Sequence, residues 1–158
     1  MAEPLAEKIM LMIEQAVELY HRLLLVVEPA GAGKTAALRH VSERTNAPLV
    51  NVNLELSRRM LDLTERQRTL QLPRLLSEIV NSQQGEVVLL DNIEVLFDVS
   101  LKQDPLRLLQ GISRNRTIIV TWSGSAGDEY VNYATPGHPE YRRYSVRDLL
   151  IVSPQAAL

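Results

Sequence analysis

Residues 26–35 read VVEPAGAGKT, a glycine-containing stretch between an apolar run at 23–27 and a segment of helical character at 36–44. A G-x-x-x-x-G-K-[ST] loop between a buried strand and a helix is the setting in which backbone N–H groups wrap phosphate oxygens. Gly31 and Gly33 would let those N–H groups turn inward, and the positive end of the helix dipole would add to the attraction. The stretch therefore predicts a phosphate-binding loop, with a departure at its first position.

That departure is Glu28, which stands where the pattern has its first glycine. Pro29 favours an extended conformation for the residue before it, so we expect the Glu28 carboxylate to point away from the phosphates. Lys34 would reach the terminal phosphates, and the Thr35 hydroxyl would bind Mg²⁺. The residues predicted to contact the nucleotide are Pro29, Ala30, Gly31, Ala32, Gly33, Lys34, Thr35 and Ala36.

Residues 87–94, VVLLDNIE, predict the metal-binding side of the same site. Four apolar residues precede Asp91, which we expect at the carboxyl end of a parallel strand, bordering the nucleotide crevice. Asp91 would then hold Mg²⁺ through water. Many ATPases of this class have Glu at the next position, but here it is Asn92. Glu94 is therefore the candidate base for hydrolysis, and a solvent-facing acid at a helix start is the alternative.

Polar residues also end the second and fourth predicted strands. Asn51 and Asn53 would share one strand face by its period of two. We take Asn53 as the candidate that orients Glu94 or the attacking water, and a polar edge face as the alternative. Thr121 ends the fourth strand and is the candidate that senses the terminal phosphate. Since no N-K-x-D guanine-binding motif occurs, we expect ATP with Mg²⁺ rather than GTP.

The remaining chain alternates strand and helix patterns, which favours an α/β fold with a parallel central sheet. The turn-rich segment 123–142 is predicted to contain a hairpin. We expect one domain over 1–152 and a flexible tail over 153–158. The predicted strands are 23–27, 48–54, 86–90, 117–121 and 145–152, and the predicted helices are 4–21, 36–44, 72–80 and 106–112.

Length and composition fit an ordinary globular protein and exclude several function classes. The 158 residues can bury a full core, and a net charge of −2 indicates no global nucleic-acid-binding field. The absence of cysteine excludes disulfides and thiolate chemistry, and the three histidines are too scattered to predict a metal site. Without a membrane-length apolar run or a signal-peptide pattern, we expect a cytoplasmic protein with no membrane contact.

The order of these parts resembles the core of AAA+-type ATPases over roughly residues 5–152. The parts are the strand before EPAGAGKT, a strand with terminal Asn, LLDNIE and a strand ending TWSGS. The resemblance implies a three-layer αβα sandwich of the P-loop NTPase type. It implies a five-stranded, mainly parallel sheet in the order 5-1-4-3-2. The helical lid domain that usually follows this core is expected to be absent.

More narrowly, EPAGAGKT, LLDNIE and the terminal YATPGHPEYRRYSVRDLL together resemble the BrxF family, the small P-loop proteins of type 3 BREX phage-defence systems. This resemblance implies a role in bacterial antiviral defence. It implies partners from the same system, namely a methyltransferase, a large ATPase, a helicase and a phosphatase-like protein. It also implies nucleotide-dependent assembly of the protein with itself or with those partners.

ATPases of this type are usually completed by an arginine from a neighbouring subunit, which acts on transition-state charge. The family position lies just before the last strand and is occupied here by Arg142 and Arg143. That end of the sheet would face away from the chain's own nucleotide, so these arginines could act only in trans. Arg114 and Arg116 are further candidates, and surface arginines without a catalytic role are the alternative.

The segment 58–74 is rich in arginine and follows the second predicted strand. In ring-forming relatives this region lines the central pore, where repeated arginines could hold a DNA backbone. Acidic residues are interleaved, however, and no aromatic residue is present for base stacking. A solvated helix or a protein-docking face is therefore favoured over a DNA contact.

Three functions are compatible with these features. The first is an ATP-binding and ATP-hydrolysing protein. The second is a nucleotide-binding switch or scaffold with little turnover, which Asn92 and Glu28 favour. The third is a small-molecule P-loop kinase, which would require an acceptor pocket beside the terminal phosphate.

Overall fold

A computed structural model describes residues 2–29 and 33–153 of the chain. Its α-helices are α1 (Ala2–Ala16), α2 (Lys34–Thr45), α3 (Val52–Met60), α4 (Glu65–Asn81) and α5 (Pro105–Gly111). Its β-strands are β1 (Leu23–Glu28), β2 (Leu49–Asn51), β3 (Val87–Asp91), β4 (Thr117–Ala126), β5 (Tyr130–Tyr133), β6 (Arg142–Ser145) and β7 (Leu150–Val152). Two short 3₁₀ helices, Glu94–Phe97 and Val99–Leu101, follow β3.

Five parallel strands form the centre of the molecule, side by side in the order β7-β1-β4-β3-β2. The apolar run at 23–27 is buried on both faces of β1, as predicted. One face packs against α1 and α2, and the other against α3, α4 and α5. Helices on both faces explain why β1 is apolar throughout rather than alternating. The α/β fold with a mostly parallel sheet is thereby confirmed.

The predicted count of five strands is wrong, because the sheet has seven strands within the described residues. β4 continues to Ala126, beyond the predicted end at 121, and its last residues pair antiparallel with β5. β5 in turn pairs antiparallel with β6, so the turn-rich segment forms a hairpin attached to β4. The full strand order therefore differs from the predicted 5-1-4-3-2, which describes the parallel path alone.

Gly124 allows the hairpin β5–β6 to dock against β4. A Cβ atom at this position would overlap the backbone carbonyl of Asn132 in β5. The same carbonyl accepts a hydrogen bond of 3.1 Å from Nε1 of the neighbouring Trp122. Gly124 belongs to the segment 123–142 that was predicted as turn-rich, but it is needed inside a strand, where two backbones approach closely.

Four aromatic rings join the hairpin to β4 and to the 3₁₀ helix that begins at Glu94. Phe97 stacks on Tyr133 with 3.4 Å between ring centroids, and Trp122 meets both rings edge-on at 5.3 and 5.8 Å. Tyr144 of β6 lies 5.9 Å from Trp122. Aromatic pairs of this kind contribute about 0.5–1.5 kcal/mol each beyond area burial. The hairpin is therefore part of the main core.

The second predicted strand, 48–54, is wrong beyond Asn51. Asn51 caps α3, because its side chain accepts a hydrogen bond of 3.1 Å from the backbone N–H of Leu54. Asparagine is among the best N-cap residues, so the chain turns into a helix at Val52. Asn51 and Asn53 consequently do not share a strand face.

Three further boundaries differ from those predicted. α1 ends at Ala16 rather than at 21, and α4 begins at Glu65 because Thr64 forms a capping box with Gln67. The predicted strand 145–152 is divided between the end of β6 and the whole of β7. In the predicted tail, residues 154–158 lie outside the described residues.

Candidate functional site

The carboxyl ends of β1, β3 and β4 border a cavity of about 960 Å³. Of the eight loop residues predicted to contact the nucleotide, Ala30, Gly31 and Ala32 lie outside the described residues. The other five all line this cavity, namely Pro29, Gly33, Lys34, Thr35 and Ala36. Asp91, Glu94 and Thr121 line the same cavity, so the chain brings together three segments that are far apart in sequence.

Lys34 is buried in the first turn of α2, with 7% of its surface exposed. Its ammonium group donates hydrogen bonds to the carbonyl oxygens of Glu28, at 3.0 Å, and Pro29, at 2.9 Å. Burial lowers the pKa of Lys34, and the carboxylates of Glu28, Asp91 and Glu94 oppose that shift. The ammonium thus lies at the predicted phosphate loop, where phosphate oxygens could replace the two carbonyls as acceptors.

Asp91 accepts hydrogen bonds from two hydroxyl groups on neighbouring elements. Thr35 Oγ1 lies 2.7 Å from Oδ2, and Thr121 Oγ1 lies 2.6 Å from Oδ1. The two predicted metal-binding residues, Thr35 and Asp91, are therefore in direct contact. A hydroxyl and a carboxylate suit Mg²⁺, which takes its remaining ligands from water and phosphate oxygens. In the described ranges no three carboxylates or histidines cluster to hold a metal alone.

Asn53 contacts Glu94, although not from the predicted strand. Asn53 lies in the first turn of α3, and its Nδ2 donates to Glu94 Oε1 at 2.9 Å. Its Oδ1 accepts from the N–H of Val95 at 2.8 Å, and its own N–H donates to the carbonyl of Asn92 at 2.8 Å. This network, which fixes the Asn53 amide orientation, holds Glu94 at the cavity. Glu94 as the base remains a prediction.

Asn92 adopts the left-handed conformation, with φ of 54°. Asparagine adopts this conformation more readily than most residues, for which it is unfavourable by roughly 1–2 kcal/mol. A glutamate at position 92 would therefore be strained. The backbone at position 92 therefore disfavours a glutamate directly after Asp91, and Glu94 is the next acid along the chain that lines the cavity.

Glu28 borders a second, smaller cavity of about 270 Å³, between the ends of β1 and β4. It is not among the residues that line the larger cavity. The expected direction of its side chain, away from the phosphates, stays a prediction. Its carboxylate is still near enough to raise the pKa of Lys34 against the effect of burial.

The predicted position of Arg142 and Arg143 needs correction. Both lie on β6, which joins the sheet through β5 at the carboxyl end of β4, not at an end that faces away from the cavity. Arg142 donates to the carbonyl of Gln103 at 2.8 Å, and the Arg143 guanidinium lies 3.7 Å from the ring centroid of Tyr130. Neither lines the cavity. An action in trans remains a prediction.

The two further arginine candidates also have contacts within the chain. The Arg114 guanidinium lies 4.7 Å from the ring centroid of Tyr20. Arg116 donates to the carbonyls of Val80, at 2.8 Å, and Gln83, at 2.6 Å. Arg116 is thereby used to join the start of β4 to the end of α4.

Two parts of the cavity were not predicted from the sequence. Arg39 lines it from α2, four residues after Thr35, so helical spacing from the phosphate loop could have indicated it. The opposite wall comes from β5 and the turn that follows. That wall had no sequence signal, since it depends on the docking of the hairpin. Its residues are Tyr133, Ala134, Thr135, His138 and Glu140.

Tyr133 connects this wall to the predicted base. Burial raises the pKa of its phenol, and the carboxylates of Glu94 and Glu140 raise it further. The Glu94 carboxylate therefore raises the pKa of Tyr133 and also opposes the lowering of the pKa of Lys34. The phenol of Tyr133 stays neutral at physiological pH.

The Arg-rich segment spans the end of α3 and the first half of α4. Arg58 and Arg59 pair with Glu55 at 3.6 and 2.7 Å, and Arg74 pairs with Glu78 at 2.8 Å. These pairings reduce the positive charge available to a DNA backbone.

Among the helices of residues 2–29 and 33–153, none is long and apolar enough to cross a membrane.

No family model matches the chain, and no curated protein matches it. Among solved structures, it is similar to that of C. elegans PCH-2, with a TM-score of 0.40 and 16% sequence identity. The match covers 96% of this chain and 40% of that chain, and a likeness this distant does not indicate a function. The fold and site define an α/β protein with a mostly parallel sheet and a cavity at the carboxyl ends of its central strands.

Proposed function

We propose that the protein binds ATP with Mg²⁺ in this cavity and hydrolyses it to ADP and phosphate, as a P-loop ATPase with an AAA+-like core. The observation that carries the proposal is the cluster of Thr35, Asp91 and Thr121 beside Lys34. Their hydrogen bonds of 2.7 and 2.6 Å join the phosphate loop to the ends of β3 and β4. This is the arrangement that a P-loop enzyme needs around Mg²⁺ and the terminal phosphates.

Binding of the phosphates would use hydrogen-bond donors that already point at the predicted phosphate loop. The Lys34 ammonium exchanges the carbonyls of Glu28 and Pro29 for oxygens of the β- and γ-phosphates. The Thr35 hydroxyl and Asp91, directly or through water, would hold Mg²⁺, which supplies charge neutralisation at the terminal phosphates. Thr121 remains hydrogen-bonded to Asp91 and keeps its carboxylate in position.

Hydrolysis requires a base on the side of the γ-phosphate away from Lys34. Glu94, held by Asn53 at 2.9 Å, accepts a proton from water. The water oxygen forms a bond to the γ-phosphorus while the bond from phosphorus to the β,γ-bridging oxygen breaks, and that oxygen leaves with ADP. Asn53 acts as a positioning residue in this step.

The test of the proposal is ATP binding by the Lys34→Ala variant. The variant loses the buried ammonium that contacts the phosphates, so we expect no detectable ATP binding by titration calorimetry. Lys8→Ala, a lysine change on α1, is the control and should bind like wild type. Equal affinity of Lys34→Ala and wild type would show that the phosphate-loop assignment is wrong.

A switch with little turnover is the second candidate. It is favoured by Asn92, whose left-handed backbone disfavours a glutamate at the position directly after Asp91. In that case wild type would bind ATP and Lys34→Ala would not, but the bound ATP would not be hydrolysed. Single-turnover measurement of phosphate release separates this candidate from the ATPase.

Phosphoryl transfer to a small alcohol is a third candidate, and the extent of the cavity favours it. Beyond Glu94 the cavity continues to a wall with the polar residues Ser125, Thr135, His138 and Glu140. An acceptor hydroxyl there could replace water as the nucleophile. Formation of a phosphate monoester from γ-labelled ATP, with glycerol as the probe, would favour transfer, whereas inorganic phosphate alone would favour hydrolysis.

The defence role and its partners are proposals that rest on the resemblance of EPAGAGKT, LLDNIE and the C-terminal segment to the BrxF family. We propose that the protein contacts the methyltransferase, large ATPase, helicase or phosphatase-like protein of the same system in an ATP-dependent way. Binding of each purified partner, measured with and without ATP, tests this. Absence of binding to all four in both conditions would contradict it.

A further inference from the structure

Arg39 lies on α2, exposed, and faces the same cavity as the phosphate loop. Within residues 2–29 and 33–153 it is the only arginine in the cavity lining. It follows Thr35 by four residues, so the two side chains share one face of the helix. The helix that supplies Lys34 and Thr35 therefore supplies a second cation to the cavity.

The direction of helical side chains brings the Arg39 guanidinium towards the phosphates. Long side chains on a helix lean towards its N-terminus and cover the preceding turn. That turn contains Thr35 and Ala36, and four residues of helix span about 6 Å along the axis. The extended stem of an arginine can cross such a distance, so the guanidinium can reach the start of α2.

The charges of the cavity favour a phosphate contact for this group. Three carboxylates line the cavity, those of Asp91, Glu94 and Glu140, against two basic side chains, Lys34 and Arg39. A nucleoside triphosphate adds strong negative charge to this excess. In the described part of the chain Arg39 has no ion pair within 4.0 Å, unlike arginines such as Arg44.

We propose that Arg39 binds the β- and γ-phosphates of the nucleotide in cis. This inference rests on the proposed binding of ATP. The planar guanidinium donates two hydrogen bonds to phosphate oxygens in a fixed geometry, which an ammonium cannot reproduce. The site then has its own arginine at the terminal phosphates and binds ATP without an arginine from a second copy of the chain.

The experiment is calorimetric titration of wild type, Arg39→Ala, Arg39→Lys and Arg44→Ala with Mg²⁺ and either ATP or ADP. Charge-assisted hydrogen bonds of this kind predict a loss of roughly tenfold or more in ATP affinity for Arg39→Ala. ADP affinity should fall less, because the γ-phosphate contact is absent. Arg39→Lys should be intermediate, and Arg44→Ala, on the same helix but outside the cavity, should match wild type.

The outcomes separate this inference from the proposed function. If wild type does not bind ATP, the proposed function is wrong. If wild type binds ATP and Arg39→Ala binds it as tightly as Arg44→Ala does, the Arg39 inference alone is overturned. An equal loss for ATP and ADP would also overturn it, since the γ-phosphate contact would then contribute nothing. Thermal unfolding of Arg39→Ala confirms that the exposed substitution leaves the fold intact.

Discussion

Glu94 is held at the cavity by one amide hydrogen bond, and this defines a test at the scale of single residues. Glu94→Gln keeps the side-chain shape and an oxygen for Asn53 but cannot accept a proton from water. We expect ATP binding within about threefold of wild type, and turnover lower by roughly 10²–10⁴-fold. Phosphate release under saturating ATP measures this. Glu140→Gln, on the opposite wall, is the control, and full activity of Glu94→Gln would exclude it as the base.

The residues of the site were predictable from sequence where a local pattern carries them. Lys34, Thr35 and Asp91 follow from the loop and from the apolar strand that ends in an acid. Asn53 was selected for a strand face that does not exist, and it contacts Glu94 because a helix cap redirects the chain. Arg39 was not predicted because the loop pattern itself ends at Thr35, although the helical spacing of four residues from Thr35 could have indicated it.

Among the elements, the hairpin β5–β6 depends on one close backbone contact. Gly124→Ala introduces a methyl group against the carbonyl of Asn132, so β5 has to move away from β4. We expect the free energy of unfolding to fall by about 1–3 kcal/mol, the usual cost of overpacking. Urea unfolding measures the change.

Gly111→Ala on α5 is the matched control for Gly124→Ala, because a Cβ at Gly111 meets no atom within 4 Å. It should leave the stability of the protein unchanged or slightly higher, since alanine is the better helix former. A Gly124→Ala variant as stable as Gly111→Ala would mean that β5 does not approach β4 as closely as described.

The parallel strands were predictable because polar or turn residues mark the ends of the apolar runs. The hairpin at 123–142 was also indicated, but its pairing with β4 was not. That pairing depends on the packing of Trp122, Phe97 and Tyr133, which are separated in sequence and meet only in the core. Long-range side-chain packing of this kind has no local signal.

At the scale of the whole molecule, we expect the solution mass to rise when Mg²⁺ and ATP are added. The exposed Arg143 lies on the hairpin, which stacks through Tyr133 on the 3₁₀ helix that begins at Glu94. A nucleotide that repositions Glu94 would therefore change the surface that a second copy meets. Light scattering measures the mass, and Lys34→Ala is the control. An unchanged mass would contradict self-assembly and favour a subunit that needs its partners.

The chain contains a single tryptophan, Trp122, and its indole is fully buried between β4 and the hairpin. Its fluorescence therefore comes from one known position, where its ring centroid lies 5.8 Å from that of Tyr133 in the cavity wall. Water that reached the indole when the hairpin moved would shift the emission to longer wavelength. Trp122 is therefore an intrinsic fluorescent reporter of the contact between the hairpin and β4, and no added label is needed.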